Sequence, residues 1–361
     1  MRTGVVPSVQ GLAKEVEFIV LMDNLHESFC VFCSLLFIGT MTRIPAHLFK
    51  SALKLVQPRT LKSSASYGDA APLVVDGEVL GSAPILAAPQ SAAIPKKLWT
   101  YWNHPQPDSF VRECIQSWHL QCPDYEVCLV HPGNLAQYVQ QGALPARFLE
   151  LHPTKQSDWL RLYLVALHGG FWLDASTLLT RSLSWMQAAA DSRTEFVGFY
   201  LEKFTTQVHR PVIESWAFGA LAGSDFIVAW QREFHQALIV EGTEAYLQRL
   251  QARSGWAGIR QNIGDPHYLL IHITAQQVLR QRRYSRMALF KAEDSAYYYH
   301  HALRWKWYLL YPQLCRVQGP KISAPIVKLR GGERRHFTEM FKAHGGAVPG
   351  STWHRALNPD A

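Results

Sequence analysis

The sequence predicts an α/β fold, a Rossmann-like sandwich behind an N-terminal helical extension. Three observations predict it. Strand-like and helix-like segments alternate from Ile94 to Gln141 at the spacing of a βαβ unit. Between Thr154 and Leu173 an apolar helical stripe runs into a double glycine and a short apolar strand. The first 63 residues follow neither pattern. With 361 residues, 48% hydrophobic and 18% charged, the chain is long enough for one large domain with an appendage.

The extension, residues 1–63, holds the apolar run Phe29–Met41. That run is too short to span a bilayer and lacks the order of a signal peptide. From Arg43 to Lys62, Leu48, Leu53 and Val56 alternate with Lys50, Lys54, Arg59 and Lys62. This basic amphipathic pattern suits peripheral contact with a membrane surface and equally suits packing on the main domain. Residues 64–93, rich in Ala, Pro and Ser, read as a linker. The main domain is expected over residues 94–361.

Within that domain Ile94–Trp102 reads as a strand, Ser109–Gln121 as a helix and Tyr125–Val130 as a strand. Pro132–Gln141 reads as a second helix. Glu195–Tyr200 and Pro211–Ala220 read as further strands. Helices are expected over Asp225–Ile239, Gly242–Arg253 and Pro266–Arg283. Pro325–Arg335 reads as a strand ending in a basic, glycine-containing turn.

The central stretch carries the chemistry. Leu160, Tyr163, Leu164 and Leu167 make one helical stripe. Ser157 suits the N-cap, and Asp158 suits the positive end of the helix dipole. Arg161 lies one turn on, over the same face. Gly169 and Gly170 end the helix, and Phe171–Leu173 lead to Asp174. A reversal of this kind lets Asp158, Arg161 and Asp174 approach one region. Ligands of such sheets bind beyond the carboxyl ends of strands, where Trp102 and Asp174 both fall. An acid, a base and a second carboxylate there suit a phosphate-bearing ligand with a divalent cation. Taken singly, the same residues serve equally well as a cap, its partner and a turn.

The net charge of +8 suits anionic partners such as nucleotide phosphates or an anionic membrane. No zinc-finger spacing, basic zipper or RNA-binding signature accompanies it, so no nucleic-acid partner is expected. The HExxH, GxSxG, P-loop and GxGxxG patterns are absent as well. Six cysteines in a chain of this length do not make a disulfide framework, and a cytoplasmic protein with reduced thiols is expected.

Ile94-Pro-Lys with Trp102, then Ser157-Asp158-x-x-Arg161, then Gly169-Gly170-x-x-x-Asp174, resembles the capsular polysaccharide synthesis proteins. These are DXD-type glycosyltransferases related to yeast mannosyltransferases and glucosylating toxins. The resemblance implies a GT-A-like sandwich that binds a nucleoside diphosphate-sugar donor and a divalent cation, Mn²⁺ or Mg²⁺. It implies transfer to a glycan or lipid-linked acceptor, with retained anomeric configuration. It places Trp102 on the base, Asp158 and Arg161 on sugar hydroxyls, and Asp174 near the ribose and the metal-bound diphosphate. The basic run Arg43–Lys62, for its part, suits a peripheral place at the inner face of the cytoplasmic membrane.

The chain departs from the motif at Asp174-Ala175-Ser176, where the second carboxylate is missing. Ser176 offers a neutral and weaker metal oxygen. Glu214 is a candidate to complete the site, or an ordinary core-edge carboxylate. Lys328, Arg330, Arg334 and Arg335 suit a diphosphate or a solvated turn. His300 and His301, among tyrosines, suit an acceptor sugar or packing. The alternative function is a catalytically weak protein that binds sugar nucleotides or glycans.

Overall fold

The structure is a computed structural model describing residues 72–75 and 93–359, apart from 191–193, 285 and 321. The apolar run Phe29–Met41, the basic run Arg43–Lys62 and most of residues 64–93 lie outside the described residues. In chain order the elements are β1 (Leu73–Val75), β2 (Lys97–Tyr101), α1 (Ser109–Gln121), β3 (Glu126–Val130), α2 (Pro153–His168), β4 (Gly170–Leu173), β5 (Thr177–Leu179) and α3 (Ser184–Ala189). There follow β6 (Phe196–Tyr200), β7 (Ile213–Ala220), α4 (Asp225–His235), α5 (Thr243–Gln251), α6 (Trp256–Arg260) and α7 (Leu270–Gln281). The chain ends with β8 (Met287–Lys291), α8 (Tyr298–Ala302), β9 (Ile326–Lys328), α9 (Gly331–His344) and α10 (Thr352–Leu357).

Seven strands form one sheet in the order β1-β8-β6-β7-β4-β2-β3. β2 runs parallel to β3 and to β4, so β2-α1-β3 is the crossover unit expected from the sequence. β7 runs antiparallel to β4 and β6, which makes the sheet mixed. Leu73–Val75, inside the stretch read as linker, pair antiparallel with β8 and add an edge strand. The sheet therefore takes in residues ahead of Ile94.

β4 is buried along its whole length. Trp172 packs on one face with Leu160, Leu164 and Trp230, while Phe171 and Leu173 pack on the other with Leu98, Phe199 and Trp216. This is the two-residue alternation of a strand covered on both sides. A third cluster, including Phe110, Leu178, Val327, Phe337 and Trp353, joins α1, β5, β9, α9 and α10.

Among the described residues, no helix is long and apolar enough to cross a membrane. Cys114, Cys122, Cys128 and Cys315 are free and buried.

Helix α2 begins earlier than Ser157. Pro153 opens it with a preset φ, and His152 Nδ1 accepts the Thr154 N–H at 3.3 Å. Ser157 is thus an interior residue, not the cap. The double glycine ends the helix as expected: φ is 66° at Gly169 and 95° at Gly170. A Cβ at Gly170 would lie 2.7 Å from Lys97 O, so the close pairing of β4 with β2 also requires glycine.

Two other expectations change. Pro132–Gln141 is not an α-helix and holds only a 3-10 turn, Leu135–Gln137. The Asn134 amide binds Leu129 O and the His131 N–H, which fixes a turn in place of a helix start. The expected basic turn after β9 is the start of α9. Glu333, three residues into it, reaches back to accept the Arg330 N–H at 2.7 Å, as a capping glutamate does.

Candidate active site

Trp99 of β2 lies opposite Trp172 of β4 in the parallel pair, so Trp102 and Asp174 leave neighbouring strands by the same edge. The Asp174 backbone N–H is fixed by Trp216 O at 2.8 Å. Its Oδ1 accepts from Trp172 Nε1 at 3.0 Å and from Arg161 Nη2 at 3.0 Å. Its Oδ2 accepts from Lys328 Nζ at 2.8 Å. The Asp174 side chain keeps 23% of its surface exposed, whereas those of Asp158 and Arg161 keep 5% each.

Arg161 is the hub. Its Nη2 meets Asp158 Oδ1 at 3.1 Å and Ser157 Oγ at 3.2 Å. Its Nη1 donates to the carbonyl of Ser215 at 2.9 Å and to Ser215 Oγ at 2.7 Å. The guanidinium lies 5.3 Å from the Trp172 ring centre. Lys155 Nζ stands 3.7 Å from Asp158 Oδ2 and also donates to the carbonyls of His267 and Tyr268. Asp158, Arg161, Asp174, Ser176 and Lys328, with Ser215, therefore form one connected network, drawn from α2, the loop after β4, β7 and the end of β9.

Electrostatics divide the two aspartates. Burial raises the Asp158 carboxyl above its ordinary pKa, against the pull of Arg161 and Lys155. Burial acts upward on Asp174 too, but Arg161 and Lys328 outweigh it and hold that carboxyl below its ordinary value. Asp174 is thus an anion shared between two cations.

The donors around Asp174, as arranged, do not fit a divalent cation. Both carboxylate oxygens are engaged, and Ser176 Oγ donates to Leu329 O at 2.7 Å while Lys328 Nζ lies 3.1 Å away. No group of three His, Cys, Asp or Glu among the described residues is placed to hold a metal ion. Glu214 lies on the neighbouring strand. It is buried in β7, where burial, reinforced by the Glu293 charge, pushes its pKa up to about 8.

The remaining candidates lie toward α9. Trp102 is partly buried, with the Arg334 guanidinium 5.0 Å above its ring. Arg330 Nε binds Glu333 Oε1 at 2.7 Å, and its guanidinium lies 5.3 Å from the Trp305 ring. An open hollow of about 530 Å³ is lined by Trp307, Arg330, Arg335, His336 and Glu339, not by Asp174. His300 is buried and its Nε2 lies 3.0 Å from Glu333 Oε2, so it packs, whereas His301 is exposed.

Ser215, Lys155 and Trp172 were not singled out in the sequence, yet each holds part of the network. Lys155 was legible as the helical neighbour of Asp158 at i, i+3. The Ser215 contact depends on the pairing of β4 with β7, which is long-range.

Fold and site together define an α/β protein with a charged network at the carboxyl edge of its sheet. The profile of the family described as capsular polysaccharide synthesis protein matches residues 86–313, and the chain belongs to that family. Among solved structures the chain is similar to a galactosyltransferase, LgtC, in complex with donor and acceptor sugar analogs. Identity to it is 10%, the match covers 72% of this chain and 100% of that one, and the TM-score is 0.34. The chain is also similar to the PaToxG glycosyltransferase, at 12% identity, over 52% of this chain and 79% of that one, with a TM-score of 0.28. Likenesses this distant specify neither residues nor chemistry. No curated protein matches the chain.

Proposed function

We propose that the protein is a glycosyltransferase of capsular or surface polysaccharide synthesis. It moves a sugar from a nucleoside diphosphate-sugar to a glycan or lipid-linked acceptor, with retention at the anomeric carbon. The observation that carries this reading is the sharing of Asp174 between Arg161 and Lys328 at the open edge of the sheet. Two cations around one partly exposed carboxylate suit a diphosphate and the hydroxyls attached to it.

In this reading Asp174 meets the ribose and the diphosphate, and Trp102 meets the base once Arg334 swings off its ring. Asp158 and Arg161 set the position of Asp174 and line the floor beneath the sugar. Charge develops on the departing diphosphate, and fixed positive groups in a site of limited solvent access lower its cost. A cytoplasmic site at the inner membrane face fits this donor chemistry.

The test is turnover of a panel of UDP- and GDP-sugars by the full chain and by Asp174→Ala. Release of UDP or GDP by the parent, and its loss in a variant that melts as the parent does, supports the proposal. Undiminished turnover by Asp174→Ala sinks it. Donor binding without turnover across the panel favours a sugar-nucleotide-binding protein.

A further inference from the structure

The Asp174-Ala175-Ser176 segment is one carboxylate short of a metal pair, and a cation is already built into it. Lys328 Nζ lies 2.8 Å from Asp174 Oδ2 and 3.1 Å from Ser176 Oγ, between the two atoms that would have to bind a metal. The placement is set by backbone. β5 and β9 pair antiparallel with Thr177 opposite Lys328, and the Leu329 N–H donates to Ser176 O at 3.0 Å. The lysine side chain reaches back over Ser176 from there. Ser176 spends its proton on Leu329 O, which leaves an oxygen lone pair for the ammonium.

Lys328 is 7% exposed and lies beneath the partly exposed Asp174. A divalent ion bound at Asp174 and Ser176 would sit against this ammonium and be repelled by it, while Arg161 competes for the same carboxylate. An ammonium has three donors, and Asp174 and Ser176 take two.

We infer that Lys328 is the resident cation of this site, and that the diphosphate is bound and the sugar transferred without a divalent metal. The inference rests on the donor reading above and goes beyond it. In the step, the bond between the anomeric carbon and the β-phosphate oxygen breaks, and its electron pair stays on that oxygen. The acceptor hydroxyl oxygen bonds the anomeric carbon, and its proton passes to the released diphosphate and on to water. Lys328 meets the charge growing on the phosphate with its remaining N–H.

Calorimetric titration of the full chain with UDP and with GDP, first in excess EDTA and then in Mn²⁺, tests this. The nucleotide that binds is expected to do so within about twofold in the two buffers, because no metal takes part. Lys328→Ala is expected to weaken binding in EDTA by about tenfold or more, and Lys328→Arg, which keeps the charge, by less. Parent binding that requires Mn²⁺ overturns the inference and leaves the donor reading standing. So does Lys328→Ala binding as tightly as the parent in EDTA. Absence of binding in both buffers overturns the donor reading and the inference together. The parent comparison decides even if Lys328→Ala does not fold.

Discussion

Arg161 Nη2 touches Asp158 Oδ1 at 3.1 Å and Asp174 Oδ1 at 3.0 Å, so one guanidinium joins the helix before the double glycine to the strand end after it. The turn at Gly169–Gly170 would otherwise leave two carboxylates facing each other in a poorly solvated space. A planar fork suits this task, because its donors can point at Ser215, Asp158 and Asp174 at once. The network is therefore structural and functional together: the bonds that fix Asp174 also set its charge.

Arg161→Met is expected to destabilise the protein by about 3–5 kcal/mol, because it leaves buried Asp158 with only the longer contact to Lys155 and takes one cation from Asp174. Arg161→Lys should fall between Met and the parent, since one ammonium cannot reach all the partners. Urea unfolding at neutral pH measures both. A loss below about 1 kcal/mol for Arg161→Met would show that Lys155 alone satisfies Asp158.

Gly170→Ala is expected to fold poorly or not at all. At φ 95° an alanine is strained, and its Cβ would meet Lys97 O at 2.7 Å and the Lys97 side chain at 3.2 Å. Strain of roughly 1–3 kcal/mol adds to the cost of parting β4 from β2. Soluble yield and melting temperature report it, and an unshifted melt would mean that the strand pair opens without cost.

What the sequence made legible is local. Helix α1 falls over the expected residues, Ser109–Gln121, because its apolar spacing and the Asp108 cap are local. The Asp158–Arg161 pair follows from helical spacing, and the place of Asp174 from the strand before it. Lys328 stood among several basic residues with nothing to separate them. Its approach to Asp174 is set by the pairing of two three-residue strands, too short to show a period. Arg330 suited the diphosphate equally well, yet Glu333 holds it, and that contact appears only once α9 forms. Glu214 and Ser215 are chain neighbours on alternate faces of β7, and the sequence pointed to the one without the network contact.

Glu333→Gln addresses a buried carboxylate outside the network. Burial raises its pKa, but His300 and Arg330 together bring it down to about 2. A depressed carboxylate stabilises the fold above its unfolded value near 4.5 and loses that contribution as the pH falls toward 2. Glu333→Gln is therefore expected to cost about 1–3 kcal/mol at pH 7, since an amide cannot accept on both sides. The gap should close as the pH falls below about 4.5. Unfolding free energies at pH 7 and pH 4 check this, and a gap that widens in acid contradicts it.

Glu214 carries the opposite sign. Its folded pKa of about 8, raised first by burial and then by Glu293, exceeds the ordinary value of 4.5. The folded state thus holds a proton that the unfolded state has released between those values. The favourable contribution is complete below about pH 4.5 and is lost as the pH rises toward 8. Glu214→Gln carries no such proton, so its stability relative to the parent should climb between pH 5 and pH 9. The climb is roughly a few kcal/mol at most, because the protein relaxes around the charge. Guanidinium unfolding of both proteins at the two pH values gives the answer as a difference of differences, from which any fixed packing cost of the amide cancels. Parallel curves would mean that Glu214 is ionised in the fold, with Lys328 as the nearby cation to pair with it. Lys328 would then be divided between Glu214 and Asp174, and Lys328→Ala would lose stability most at high pH.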